Sequence, residues 1–253
     1  PEQEITDELA GAIFRNPVTQ QWETSDEYLS GNVREKLATA ESFAENHAEY
    51  QINVDYLKRV QPKDLDASEI EVRLGANWVK PEYITQFMRE VFKTPGYYAG
   101  DEIKATYSEI SGAWNISGKS MDRGNPLVTN TYGTMRVNAY KLLEDALNLR
   151  DTKIYDTIHD ADGDHRVLNK QETMLAQQAQ ESIREAFKQW IFKDLDRRED
   201  LCATYNRIFN AIRPREYDGS HIRFEGMTPE ISLMPHQKNA VAHILYGNNT
   251  LLA

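Results

Sequence analysis

The stretch NKQETMLAQQAQESIREAFKQWIFKDL, which begins at Asn169, constrains this chain most. Leu175, Ala179, Ile183, Ala186, Phe187, Trp190 and Ile191 recur there at intervals of three and four, so a helix of about seven turns carries one continuous apolar stripe. That stripe must be covered along its whole length. REDLCATYNRIFNAI repeats the pattern with Leu201, Tyr205, Ile208 and Ile212. The spacing predicts two long helices, 169–193 and 195–212, packed as an antiparallel pair.

The rest of the chain alternates helical and strand-like periods. In ITDELAGAIF, residues Ile5, Leu9, Ile13 and Phe14 share a helical face, and NPVTQQWET then reads as a turn and a short strand, an order like the end of a winged helix. Leu29, Val33, Leu37, Ala40 and Phe43 or Ala44 mark a second helix, and Ile52 to Val60 a third that Pro62 stops. EIEVRLGANWV alternates at Ile70, Val72 and Leu74 as a strand does, and Pro81 opens the helix PEYITQFMREVF. IKATYSEISGAWNI reads as a hairpin, GTMRVNAYKLLEDALNL as a helix, and TKIYDTI with HRVL as a second hairpin about DADGD. Pro214, Gly219, Gly226 and Pro229 punctuate a linker-like segment before LMPHQKNAVAHILYGNNTLLA. The expected fold is α+β, mostly helical, with both hairpins in one small mixed sheet and a winged-helix-like N-terminal part. Three segments are expected: 1–60, 61–225 and 226–253.

Forty acidic against 29 basic residues give a net charge of −11, which opposes phosphate binding by the chain as a whole. Any contact with duplex DNA must be a local basic patch, and Arg15, Arg34, Lys36, Lys119 and Arg123 are its candidates. No apolar run approaches the roughly 18 residues that span a bilayer, so no membrane partner is expected. The acidic start lacks a targeting pattern and an initiator Met, which predicts a beginning within a longer chain. Cys202 is the one cysteine, which excludes an internal disulfide and a cysteine-based zinc site and fits the cytoplasm.

Several motifs invite a chemical reading. GAWNISGKS, residues 112–120, approaches the phosphate loop G-x-x-x-x-G-K-S, but five residues rather than four separate Gly112 from Gly118 and no apolar helix follows Ser120. It reads as a hairpin end with a basic tip. Asp160, Asp162 and Asp164 match the first, third and fifth ligands of a calcium loop, yet His165 and Gln171 replace its glycine and its glutamate, so no metal site is expected. His159 and His165 straddle that turn, and His236 and His243 are seven apart, not the four of a zinc helix. Cys202 falls on an apolar helix side, where a thiol is inert. No nucleophile, base and orienting group assemble, so no catalytic residue is assigned.

The C-terminal LMPHQKNAVAHILYGNNTLLA resembles the opening of the motor domain of Snf-type, superfamily-two helicases, where Pro-x-Gln starts a helix leading into the first core strand. The resemblance implies that Pro235 begins the helix, Gly247 ends it, TLLA is that strand, and Gln237 reads adenine as a nucleotide-binding residue. The chain ends where the phosphate loop should begin. DEYLSGNVREKL, IEVRLGANWV, YGTMRVNAYKLLEDALNL, HRVLNKQET and the segment from Tyr217 onward are similar to the connector of large bacterial mobile-element and phage proteins that fuse an adenine-specific DNA methylase to such a helicase. The methylase motif N-P-P-[YF], the phosphate loop and the acidic helicase motif are absent from this sequence. The resemblance therefore implies a connector that is itself inactive and takes no cofactor. ATP and Mg would belong to the helicase half of the parent, and S-adenosylmethionine to its methylase half.

Two functions follow as expectations: a module that grips or positions duplex DNA, or a scaffold that docks the methylase half on the helicase half. A DNA grip predicts a positive face and steep salt dependence. A scaffold predicts exposed apolar surface where the other domains pack. A free-standing enzyme has no residues to support it.

Overall fold

The computed structural model describes residues 8–96, 102–160, 163–228 and 231–247. In chain order its strands are β1 (Ile13–Arg15), β2 (Trp22–Thr24), β3 (Gly31–Asn32), β4 (Ala105–Ser108), β5 (Ala113–Ile116), β6 (Tyr155–Asp160), β7 (Gly163–Leu168) and β8 (Ile212–Arg213). Its helices are α1 (Ser25–Tyr28), α2 (Val33–Ala44), α3 (Gln51–Arg59), α4 (Pro81–Val91), α5 (Ala139–Leu147), α6 (Lys170–Ile191), α7 (Leu195–Phe209) and α8 (Pro235–Tyr246). The class is α+β with helix predominant. Two compact units form: residues 1–64 with 206–253, and residues 65–205. The N-terminal and C-terminal segments thus belong to one unit.

In the first unit the helix expected over residues 5–14 gives way to strand at Ile13 and Phe14, and Ile5 lies outside the described residues. The cause is Gly11, whose φ of +85° breaks a helix and whose Cβ, if it had one, would strike the Tyr56 hydroxyl. A β1–β2 hairpin thus precedes the helices, with its turn held by Asn16 Oδ1, which accepts the N–H of Val18 at 2.9 Å. Asn32 then caps α2 by accepting the Glu35 N–H. Phe14, Tyr28, Val33, Val54 and Leu57 form the core, with Phe14 stacked on Tyr28 at 5.2 Å. β3 pairs antiparallel with β8, and Val33 N–H donates to the Ala211 carbonyl beside them. TLLA, residues 250–253, lies outside the described residues.

The second unit is built on α6. Asn169 caps it by accepting the Glu172 N–H. Its stripe lies against α5 and α4, not against α7. Phe87 of α4 meets Phe92, Phe187 and Trp190, each with ring centroids 5.3 Å apart in edge-on geometry. The antiparallel helix pair is therefore corrected: α4 and α5 cover most of the stripe, Leu175 near its start staying exposed, and α7 reaches the core chiefly through Leu201, while Ile208 and Ile212 are exposed. The second helix also ends at Phe209, before Ile212, which is in β8.

Both expected hairpins form, β4 with β5 and β6 with β7. Among the described residues the strands make four separate two-stranded antiparallel ladders, so the hairpins do not share one sheet. β4–β5 packs beside α4 and α5, which close it off, whereas β7 is exposed along its whole length. EIEVRL, expected as a strand, forms none: it joins no ladder and Leu74 enters a turn, yet it alternates buried and exposed residues and sets Ile70, Val72 and Leu74 in the core.

Candidate functional site

The five basic residues expected to face phosphate meet different fates. Arg34 on α2 donates from Nε to the Asn210 carbonyl at 2.9 Å, from Nη2 to the Pro62 carbonyl at 3.2 Å, and pairs with Asp64. Lys36, one residue-pair further on, turns back to the C-terminus of α1, where Nζ donates to the Tyr28 and Glu27 carbonyls at 2.8 and 3.3 Å. Burial pushes its ammonium below the ordinary lysine value. Lys119 pairs with Glu144 on α5, whose carboxylate also accepts the Ile116 N–H at 2.8 Å. Burial alone would raise the Glu144 carboxyl, but the Ile116 N–H and the charge of Lys119 outweigh it and hold it below the usual glutamate range. Arg15 is exposed on β1, and Arg123 is exposed, its Nε donating to the Ser120 carbonyl at 3.0 Å. Three of the five cations thus tie segments of their own unit together.

Gln237 is exposed on the first turn of α8, and its Oε1 accepts the Met234 N–H at 2.9 Å, the return half of a capping box. GAWNISGKS is the second strand of the β4–β5 hairpin and the turn after it: Gly112, at φ +62°, closes the hairpin by donating to the Ser108 carbonyl. Of the aspartate cluster, Asp162 lies outside the described residues, and Asp164 pairs with His159. No group of three or more potential metal ligands assembles among the described residues. The Cys202 thiol is raised by burial and by the nearby Asp66 charge, away from thiolate chemistry. His243 stacks on Tyr217 with centroids 4.3 Å apart, and His221 on Tyr246 at 5.9 Å, so these imidazoles are packing groups.

The sequence did not mark what the second unit shows most openly. Along Ile70–Leu74 no backbone N–H donates to any described residue, and only the Arg73 carbonyl accepts, from Ala76. The segment borders a groove of about 640 Å3 whose far wall is α6, with Leu74, Ala146, Phe187 and Ile191 among its apolar lining and Glu71, Glu181 and Lys188 among its charges. Arg73 forks onto Glu71 at 3.0 and 2.9 Å and holds its carboxyl low, with a further pull from Lys188 on α6. The alternation of EIEVRL was the available signal for which of its residues are buried; that no strand comes beside it is a tertiary fact.

Arg197, which no motif in the sequence singles out, is buried and closes α6. Its Nε donates to the Ile191 carbonyl at 2.8 Å and its Nη2 to the Trp190 carbonyl at 2.9 Å, while the guanidinium lies 3.6 Å from the Trp190 ring centroid. Trp190 in turn donates from Nε1 to Glu90 at 2.6 Å. Among the described residues no helix is long and apolar enough to cross a membrane. Residues 73–211 match a family described as Domain of unknown function (DUF8437). No curated protein and no solved structure matches the chain.

Proposed function

Because the chain belongs to the DUF8437 family, whose description names no activity, we propose its function from the site itself: a non-catalytic docking module that works through protein contacts. The observation that carries this reading is where the charge goes. Arg34, Lys36 and Lys119 are held by carboxylates and carbonyls of their own fold, so phosphate would have to displace those partners in a molecule of net charge −11. Apolar side chains point the other way, with Tyr155, Ile158, Val167 and Leu168 exposed on the β6–β7 hairpin. Following the resemblance of its sequence, the module is the connector of a cytoplasmic protein that joins a DNA methylase to a helicase, whose ATP, Mg and S-adenosylmethionine belong to the other domains. Gln237 then acts on nucleotide only within the complete motor.

A second reading, a weak grip on duplex DNA, draws on the exposed guanidinium groups of Arg15 and Arg123. Fluorescence anisotropy of a labelled DNA duplex, titrated with the chain at 50 and 200 mM salt (roughly the range over which phosphate contacts lose their strength) decides between them. Docking predicts no binding at either salt. Salt-sensitive binding that the double variant Arg15→Ala, Arg123→Ala removes would overturn it in favour of the grip.

A further inference from the structure

We infer that the β6–β7 hairpin is completed by a third strand, an extended segment of another protein that pairs along β7 and carries apolar residues followed by lysines. The inference rests on the docking reading above and names its partner. β6 and β7 match residue for residue, from Tyr155 with Leu168 to Asp160 with Gly163, with no bulge and no proline to interrupt the ladder. Among the described residues no third strand joins them, and all of β7 is exposed. Two strands alone are marginally stable in water, whereas three with an apolar face hold together. The edge of β6 is partly taken, because Arg136 donates from Nη2 to the Tyr155 carbonyl at 3.1 Å and from Nη1 to Asp156 at 2.8 Å. The edge of β7 is the one left for main-chain pairing.

The side chains choose the occupant. Along β7, Asp164, Arg166 and Leu168 share one face and His165 and Val167 the other. Val167 and Leu168, 46% and 39% exposed, favour apolar neighbours across the ladder, and Asp164, 69% exposed beside His159, favours a cation. Residues 155–168 hold four aspartates against one arginine in a chain of net charge −11, so the hairpin repels a second copy of itself and attracts a basic strand. A strand running antiparallel to β7 passes Leu168 and Val167 first and Asp164 last. Its sequence is therefore apolar at the start and basic at the end, with an acid opposite Arg166, whose guanidinium lies 5.0 Å from the Tyr155 ring centroid.

The peptide Val-Ile-Glu-Thr-Lys-Lys, blocked at both ends, follows this order, and its reversed sequence keeps the same composition and charge. One short ladder buries well under the roughly 1,200 Å2 of a stable interface, so the dissociation constant should be about 0.1–1 mM. Amide NMR spectra of the whole isotope-labelled chain, titrated with each peptide to about 5 mM, a range that spans such a constant, locate the contact. The forward peptide should shift the amides of β7 saturably and those of β6 less, and the reversed peptide should bind about fivefold more weakly. Asp164→Lys should weaken the forward peptide about fivefold, and a peptide with glutamate in place of its first lysine should recover the loss. The same spectra show whether the hairpin is intact in the variant; where it is not, the forward and reversed peptides on the natural chain still decide. No shift at β7 overturns the proposal. So does equal binding of the reversed peptide, indifference to Asp164→Lys in an intact hairpin, or a loss that the exchanged peptide fails to recover. Each of these leaves the docking reading standing, because the duplex titration tests that separately.

Discussion

Replacing Arg197 by alanine puts the closure of α6 to a quantitative test. The guanidinium, in a residue only 3% exposed, supplies two charge-assisted hydrogen bonds to the last carbonyls of α6 and lies over Trp190. Each hydrogen bond of this kind contributes about 1.5–3 kcal/mol, and the cation–π contact about 1 kcal/mol more. Against this stands the desolvation of the ion, which burial expresses as a guanidinium held below its ordinary value, and an Nη1 that is buried with no partner among the described residues. Taking those as an offset of roughly 2 kcal/mol leaves a net loss of about 3 kcal/mol in the variant. At about 3 °C per kcal/mol for a protein of this size, the melting temperature should fall by roughly 9 °C. Scanning calorimetry measures it, and the fluorescence of Trp190, which loses its cation and keeps its bond to Glu90, reports on the same site. Arg197→Lys retains the charge but not the fork, so it should recover less than half of the loss. A shift of less than about 2 °C in the alanine variant would show that water replaces the guanidinium at no cost, and the reasoning from buried carbonyls would fail.

Three further perturbations follow, two in the same unit and one in the other. Glu144 is depressed in the folded state, so its contribution is present above the unfolded value near 4.3 and lost as pH falls through that range. Urea midpoints taken from pH 7 to pH 3 should therefore decline less for Glu144→Gln than for the natural chain, the variant starting about 1 kcal/mol lower at neutral pH; parallel curves would refute it. Gly75 sits at φ +92° and its Cβ would collide with the Leu147 carbonyl, so Gly75→Ala should cost about 3 kcal/mol in thermal unfolding. Gly31→Ala, at φ +74° with open space around it, should cost only about 1 kcal/mol.

Local physics was legible in the sequence to the extent that the partners were local. Pro81 starts α4 and Gly112 closes a hairpin, as read from the residues beside them; Asn32, Asn138 and Asn169, which periodicity leaves unassigned, cap the helices that follow them just as locally. The antiparallel helix pair failed for the opposite reason. Periodicity shows that a stripe needs cover, but the cover came from Phe87 on α4 and from α5, and no feature of α6 names which helix that will be.

The basic residues carry the same lesson into function. Arg34, Lys36 and Lys119 read as available charge because a sequence displays a cation without its counter-charge, and those lie 30 residues away at Asp64, eight at the Tyr28 carbonyl and 25 at Glu144. Once those partners close, three of the five cations the sequence displayed are turned onto oxygens of their own unit, which leaves Arg15 and Arg123 as the exposed ones of that set. A charge is available to a ligand only when the fold leaves its counter-charge elsewhere, and that is settled by residues far along the chain rather than by the neighbours a motif displays.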